Sequence, residues 1–242
     1  MLTRKLGEIG SVIFRNIFFP FVRIIIELKT NSIMKQKSYI YKGTVLHGKN
    51  YIGRDTKLAN VDVGFGTIIH KNGDISNCKV GKYCSIGPGV STIGGTHPTK
   101  GFKSTHPAFY AKNNVSGFSY MDSVNAYLKS ENDTIFEEYI YIDKSKGYLH
   151  EIGNDVWIGA NVLIFQGVKI GDGVIVGSNA IVNKNLDPYG IYVGAPAKKI
   201  GQRFSDEEID SLLSEKWWDK GEEWIKLHIG EFINIGENLN EH

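Results

Sequence analysis

The sequence predicts an all-β domain wound as a parallel β-helix, and three observations lead there. Between Ile152 and Asp187 an isoleucine or valine returns at every sixth residue: Ile152, Ile158, Ile164, Ile170, Val176 and Val182. A second inward position falls four residues later in each unit, at Val156, Val162, Val168, Val174, Ala180 and Leu186. Glycine follows the first position at Gly153, Gly159, Gly171 and Gly177. A helix of 3.6 residues per turn would scatter a six-residue period around its surface, whereas a short strand plus a tight turn stacks one residue type in a column.

The same register is present earlier in a weaker form. It runs from Ile40 through Leu46, Ile52 and Leu58, slips one residue to Val63, continues at Ile69 and Ile75, slips again to Val80 and reaches Ile86. Its second inward position holds Thr44, Asn50, Thr56, Thr67 and Gly73, so these coils are expected to be less regular. Cys84 falls on that position and reads as a small core residue rather than a catalytic thiol. Between Thr92 and Glu151 the repeat stops for about sixty residues and restarts in phase. A segment of that length is a loop thrown out from one coil, and its many aromatics, Phe102 to Tyr141 with Tyr127 among them, predict an ordered lid over a site.

The flanks read as helices. After the Pro/Gly-punctuated stretch Asp187–Lys199, Ser205 and Glu208 form a capping-box pattern, with Ile209, Leu212, Leu213 and Trp217 on one face. A second short helix is expected around Trp224–Leu227. At the other end Val12–Leu28 is apolar, but Arg15, Pro20, Arg23 and Glu27 interrupt it. Central arginines cost on the order of 2.5 kcal/mol each in a spanning helix, which argues against a span. A helix capping the open end of the coil is the favoured reading, and an interfacial helix making peripheral membrane contact the alternative. The organisation expected is a helical segment over 1–38, a β-helix over 39–203 carrying the lid 94–150, and a helical tail over 204–242.

Composition narrows the function. The chain has 242 residues, 41% of them apolar, and a net charge of +2 with both signs interspersed. Nothing resembles the basic stripe of a nucleic-acid surface. Two cysteines six residues apart, Cys78 and Cys84, fit a reducing cytoplasm better than a disulfide framework, and the histidines show no metal-ligand spacing.

The string Asn154-Asp155-Val156-Trp157-Ile158-Gly159-Ala160-Asn161-Val162, following the loop-mouth Gly94-Gly95-Thr96-His97-Pro98, resembles the hexapeptide-repeat acyltransferases, most closely their xenobiotic and surface-polysaccharide acetyltransferase branches. The resemblance implies a left-handed β-helix of triangular coils, a homotrimer with its site between adjacent subunits, acetyl-CoA as acyl donor and no metal. It assigns His97 as the catalytic base. Trp157 would support that histidine, and the Ala160 N–H would face the developing oxyanion. Gly159, Ala160, Gly177, Ser178, Ala195, Pro196, Lys198 and Lys199 match positions that line the CoA groove. Ser104–Tyr110 is similar to a loop segment of the polysaccharide branch and makes His106, Phe109 and Tyr110 candidate acceptor contacts. His97 is preferred over His106 as base because it leaves directly from the scaffold. The acceptor implied is a sugar hydroxyl or amino group, in a polysaccharide or sugar nucleotide, in the cytoplasm or beside the membrane's inner face. A hydroxyl-bearing antibiotic is the enzymatic alternative, supported by Lys216-Trp217-Trp218, and an inactive β-helix scaffold the non-enzymatic one.

Overall fold

In the computed structural model, residues 19–121 and 134–233 are described. The apolar stretch before Phe19, Tyr127 of the lid, and His242 lie outside them. The rest is a β-helix of three strand columns. The first stacks Ile33–Met34, Tyr51–Ile52, Ile68–Ile69, Ser85–Ile86, Trp157–Ile158, Ile175–Val176 and Gly190–Val193, all parallel, and closes with Lys198–Gln202 antiparallel to its last member. Tyr39–Ile40, Ser91–Ile93, Leu163–Phe165 and Ile181–Val182 belong to the second column, and Val45–Leu46, His150–Ile152 and Val168–Ile170 to the third. The first rung, Ile33–Met34, falls inside the segment expected to be helical, because its amides continue the ladder onto Tyr51 and Ile52.

The one-residue slips have a structural cause. Ile33 pairs with Tyr51 and Trp157 with Ile175, each 18 residues on, but Tyr51 pairs with Ile68 and Ile68 with Ser85, each 17 on. The missing residue is lost at one corner, where Lys57–Val63 and Asp74–Val80 run as single seven-residue strands around the bend between two columns. Lys57–Val63 accordingly pairs with both Tyr39–Ile40 and Val45–Leu46.

Inside the coil the repeat residues form one stacked core, with Ile52, Leu58, Ile69, Ile75, Ile86, Ile158 and Ile164 fully buried. Burying each such side chain contributes about 1.5–3 kcal/mol. The polar inward residues of the early coils serve the corners. Thr67 Oγ1 donates to the Gly81 carbonyl at 2.7 Å and accepts from the Cys84 amide at 3.0 Å, and Asn50 Nδ2 donates to the Gly64 carbonyl at 2.7 Å. These bonds satisfy backbone groups that would otherwise be buried unpaired. At the outer corners Asp155, Asn161 and Asn179 take left-handed φ values of 54°, 56° and 60°, which short polar side chains tolerate. Gly159 answers a different need, since a Cβ there would lie 2.6 Å from the Ser178 nitrogen of the adjacent coil.

The outward columns differ in chemistry. In register along the first column stand Ile33, Tyr51, Ile68, Ser85, Trp157, Ile175 and Ile191, apolar except for one serine. The third presents Asp62, Lys79, Glu151 and Lys169, with Glu151 bridged to Lys79 at 3.3 Å and to Lys169 at 3.5 Å. That column is a solvated face, and the first is not built as one.

Phe19–Thr30 forms a helix over the open end of the coil. Phe19 is buried against the core and stacks near Tyr39, and Glu27 Oε1 accepts from the Met34 amide at 2.7 Å. The helix therefore caps the coil, while Phe21, Val22, Ile24, Ile25 and Leu28 remain exposed on its outer side. No helix among the described residues is long and apolar enough to cross a membrane. At the other end Asp206–Glu215 begins at the expected capping box, with Ser205 and Glu208 bonded reciprocally, and a second helix spans Glu222–Leu227. The tail folds back on the coils through Lys82–Asp219 at 2.8 Å and the Tyr83–Trp217 ring pair at 5.1 Å.

Candidate active site

The lid leaves the second column after Ile93 and rejoins the third at His150. Its two ends are stitched together by one coil residue, Gln166. The Gln166 Oε1 accepts from the Gly95 amide at 2.9 Å and the Ile140 amide at 3.3 Å, while its Nε2 donates to the Glu138 carbonyl at 2.9 Å. The Thr96 amide donates to that same Glu138 carbonyl at 2.9 Å. His97 is thus fixed beside Glu138 by a coil-anchored network.

His97 is exposed at a cleft of about 570 Å³ lined by Gly95, Pro107, Asn114, Glu138 and Tyr139 among others. Its Nδ1 lies 2.7 Å from the Tyr110 hydroxyl, which donates to Glu138 Oε1 at 2.8 Å. Tyr110 is fully buried, with its ring against Phe102 at 6.2 Å and Phe136 at 5.4 Å. Burial first, and then the Glu138 carboxylate, push its phenol up to about 12, so the hydroxyl keeps its proton and remains a donor. A second cavity, of about 670 Å³, lies away from His97, between Arg203, Trp217 and Trp224 of the tail.

The other expected site residues are dispersed. His106 accepts the Ala108 amide on Nδ1 at 3.2 Å, capping the short 3-10 turn Pro107–Phe109, and stacks on Phe118 at 5.7 Å. It is a turn cap in the lid, and neither it nor the exposed Phe109 lines the cleft at His97. The expectation for Tyr110 needs correcting: with its ring buried and its hydroxyl held between His97 and Glu138, it offers no surface to an acceptor. Trp157 stands outward and half-exposed on the first column, a different column from the strand that launches His97, and is not part of the cleft. Three residues on, the Ala160 amide donates to Ser178 Oγ of the next coil at 3.1 Å, which puts Gly159, Ala160, Gly177 and Ser178 along one edge. Ala195, Pro196, Lys198 and Lys199 are exposed at the closing end, with Lys199 Nζ 3.4 Å from Gln202 Oε1.

Two residues of the His97 surroundings carry no sequence signal. Glu138 is one of two adjacent glutamates in the lid, and Gln166 sits at a repeat corner where any polar residue would pass unnoticed. Both cysteines are buried core residues, and burial raises both thiols, that of Cys84 to about 12. Neither is an available nucleophile.

Residues 150–184 match the family model for the bacterial transferase hexapeptide, six repeats. A chloramphenicol acetyltransferase of Escherichia coli is 32% identical over 206 residues, 84% of each chain. Another from Klebsiella aerogenes is 33% identical over 155 residues, 63% of this chain and 64% of that one, so this match spans less than two thirds of the relative. A probable macrolide acetyltransferase of Lysinibacillus sphaericus is 40% identical over 149 residues, 60% of this chain and 71% of that protein. With likeness running through both coils and lid, the chain belongs to the hexapeptide-repeat acetyltransferases. Its coil is the left-handed parallel β-helix of that family.

Proposed function

We propose that the protein is an acetyl-CoA-dependent acetyltransferase that moves acetyl directly onto an acceptor hydroxyl, with His97 as general base. The observation that carries this reading is the placement of His97: exposed at a cleft, held through Nδ1, and with no partner on Nε2 among the described residues. A neutral imidazole near pH 7 is matched to taking the acceptor's proton as its oxygen attacks the acetyl carbonyl. His97 then returns the proton to the CoA sulfur as the C–S bond breaks, so the base ends neutral. The buried cysteines support transfer without a covalent enzyme intermediate.

The donor is assigned to the edge that carries Ala160 and Ser178. An outward backbone donor such as the Ala160 N–H can supply roughly 3 kcal/mol to a developing oxyanion. Exposed Lys198 and Lys199 give the far end the cations that the donor's phosphates require. The lid that carries His97 leaves from the second column, Trp157 stands on the first, and the first column is an apolar outward row. Both features support a homotrimer in which that row is covered by a neighbour and Trp157 of one subunit meets His97 of the next.

The relatives named for chloramphenicol and macrolides support a hydroxyl-bearing xenobiotic as acceptor. The surface-polysaccharide reading, a sugar hydroxyl or amino group, keeps one observation of its own: the exposed apolar side of Phe19–Thr30, suited to work beside a membrane. Acetyl-CoA-dependent acetylation of a panel of antibiotics, sugar nucleotides and polysaccharide repeats decides between them. The xenobiotic reading expects a kcat/KM at least about a hundredfold higher on an antibiotic alcohol, since missing polar contacts discriminate by that much or more.

A further inference from the structure

We propose that Tyr110 and Glu138 are positioning residues that set the tautomer and basicity of His97, through a chain running from the lid carboxylate to the phenol to the imidazole. This rests on the reading of His97 as base. Tyr110 has one hydroxyl proton, and it points to Glu138 Oε1 at 2.8 Å, because a carboxylate can only accept. The phenol oxygen then meets His97 Nδ1 at 2.7 Å with a lone pair, so Nδ1 must carry the imidazole proton. The remaining lone pair of the neutral ring is on Nε2, the nitrogen left without a protein partner. As Nε2 takes a proton, the imidazolium is stabilised by a donor–acceptor chain that ends on a negative charge.

The chain is held rigidly. Tyr110 is clamped by the Phe102 and Phe136 rings, and its own carbonyl accepts from the Ile135 amide at 2.9 Å and from Thr134 Oγ1 at 3.0 Å. Glu138 is fixed through its carbonyl by Thr96 and Gln166. A phenol between histidine and carboxylate also explains why a tyrosine is buried in the lid with its hydroxyl aimed at the cleft side.

The test uses His97→Ala, Tyr110→Phe and Glu138→Gln in the full chain, with kcat/KM followed across pH, KM for acetyl-CoA, melting temperature, and ¹⁵N NMR of the His97 ring. Tyr110→Phe keeps the ring packing and is expected to lower kcat about tenfold to a hundredfold, the usual loss when the outer partner of a functional imidazole is removed. KM for acetyl-CoA should stay within about twofold, since the variant touches no residue assigned to donor binding. Its ring spectrum should change from the Nδ1–H tautomer to a mixture. Glu138→Gln removes the carboxylate on which the chain ends, so the acid limb of kcat/KM should move to lower pH. An inactive His97→Ala together with wild-type kcat, pH profile and tautomer in both other variants would overturn the proposal. An active His97→Ala would instead refute the base assignment beneath it. Should Tyr110→Phe fail to fold, the Glu138→Gln profile decides alone.

Discussion

The Ala160 amide donates to the Ser178 hydroxyl of the adjacent coil at 3.1 Å, an outward bond that belongs to no strand ladder. The amide is therefore a donor already aimed at the coil's edge, and under the proposed donor assignment the serine is the acceptor an incoming carbonyl would displace. Ser178→Ala is expected to leave stability within about 1 kcal/mol and to hold or raise kcat/KM for acetyl-CoA by up to about fivefold, the worth of one competing hydrogen bond. Steady-state kinetics check this, and a tenfold loss would show the hydroxyl itself binding the donor.

His97→Ala should lower kcat by about 10²–10⁴, the range for a positioned acid–base, with CoA binding and melting temperature unchanged. His106→Ala should do the opposite, costing about 1 kcal/mol through the lost turn cap and little turnover. Equal or reversed effects on kcat would move the base to His106.

The double variant Cys78→Ser, Cys84→Ser should remain active, since both thiols are buried and raised. Its cost is stability, about 1 kcal/mol per site, because the Gly153 carbonyl 3.0 Å from Cys84 Sγ and the Lys79 carbonyl 3.5 Å from Cys78 Sγ can accept from the new hydroxyls. Mass spectrometry of enzyme quenched during turnover should find no acetyl-cysteine.

His150 is fully buried between the Asn77 carbonyl at 3.3 Å and the Ile93 carbonyl at 3.2 Å, at the return of the lid to the coil. Burial lowers its pKa, outweighing backbone hydrogen bonds to Ile93, Asn77, Ser76 and Ile164, which favour the cation. The native ring is then neutral where the unfolded one takes up a proton, so stability should fall as pH drops below about 6.5. Melting temperatures between pH 7.5 and 5.5 should show that decline, and His150→Gln should flatten it.

Light scattering should give a mass of three chains of 27.0 kDa. Trp157→Glu, which puts a charge in the middle of the apolar first column, should release monomer. Mixing His97→Ala with Trp157→Ala subunits should restore activity if the two residues come from different chains, and a fully active monomer would refute the shared site.

The sequence alone determined the coil. A six-residue period stacks the residues of the repeat positions in inward columns, so Ile152 to Val182 announced the core, and even the slips at Val63 and Val80 were real corners shortened by one residue. The place of His97 at the loop mouth and the Ser205 capping box were equally legible, because position in a loop mouth and a local hydrogen-bond pattern depend on neighbours in the chain. Tertiary structure alone decided what surrounds His97. Tyr110 and Glu138 are 28 residues apart and reach each other because the lid pairs Ala111 with Thr134 while Gln166, from a later coil, holds the Glu138 backbone. A lid has no period, so its side chains reveal their partners only once the coil has fixed where its two ends stand.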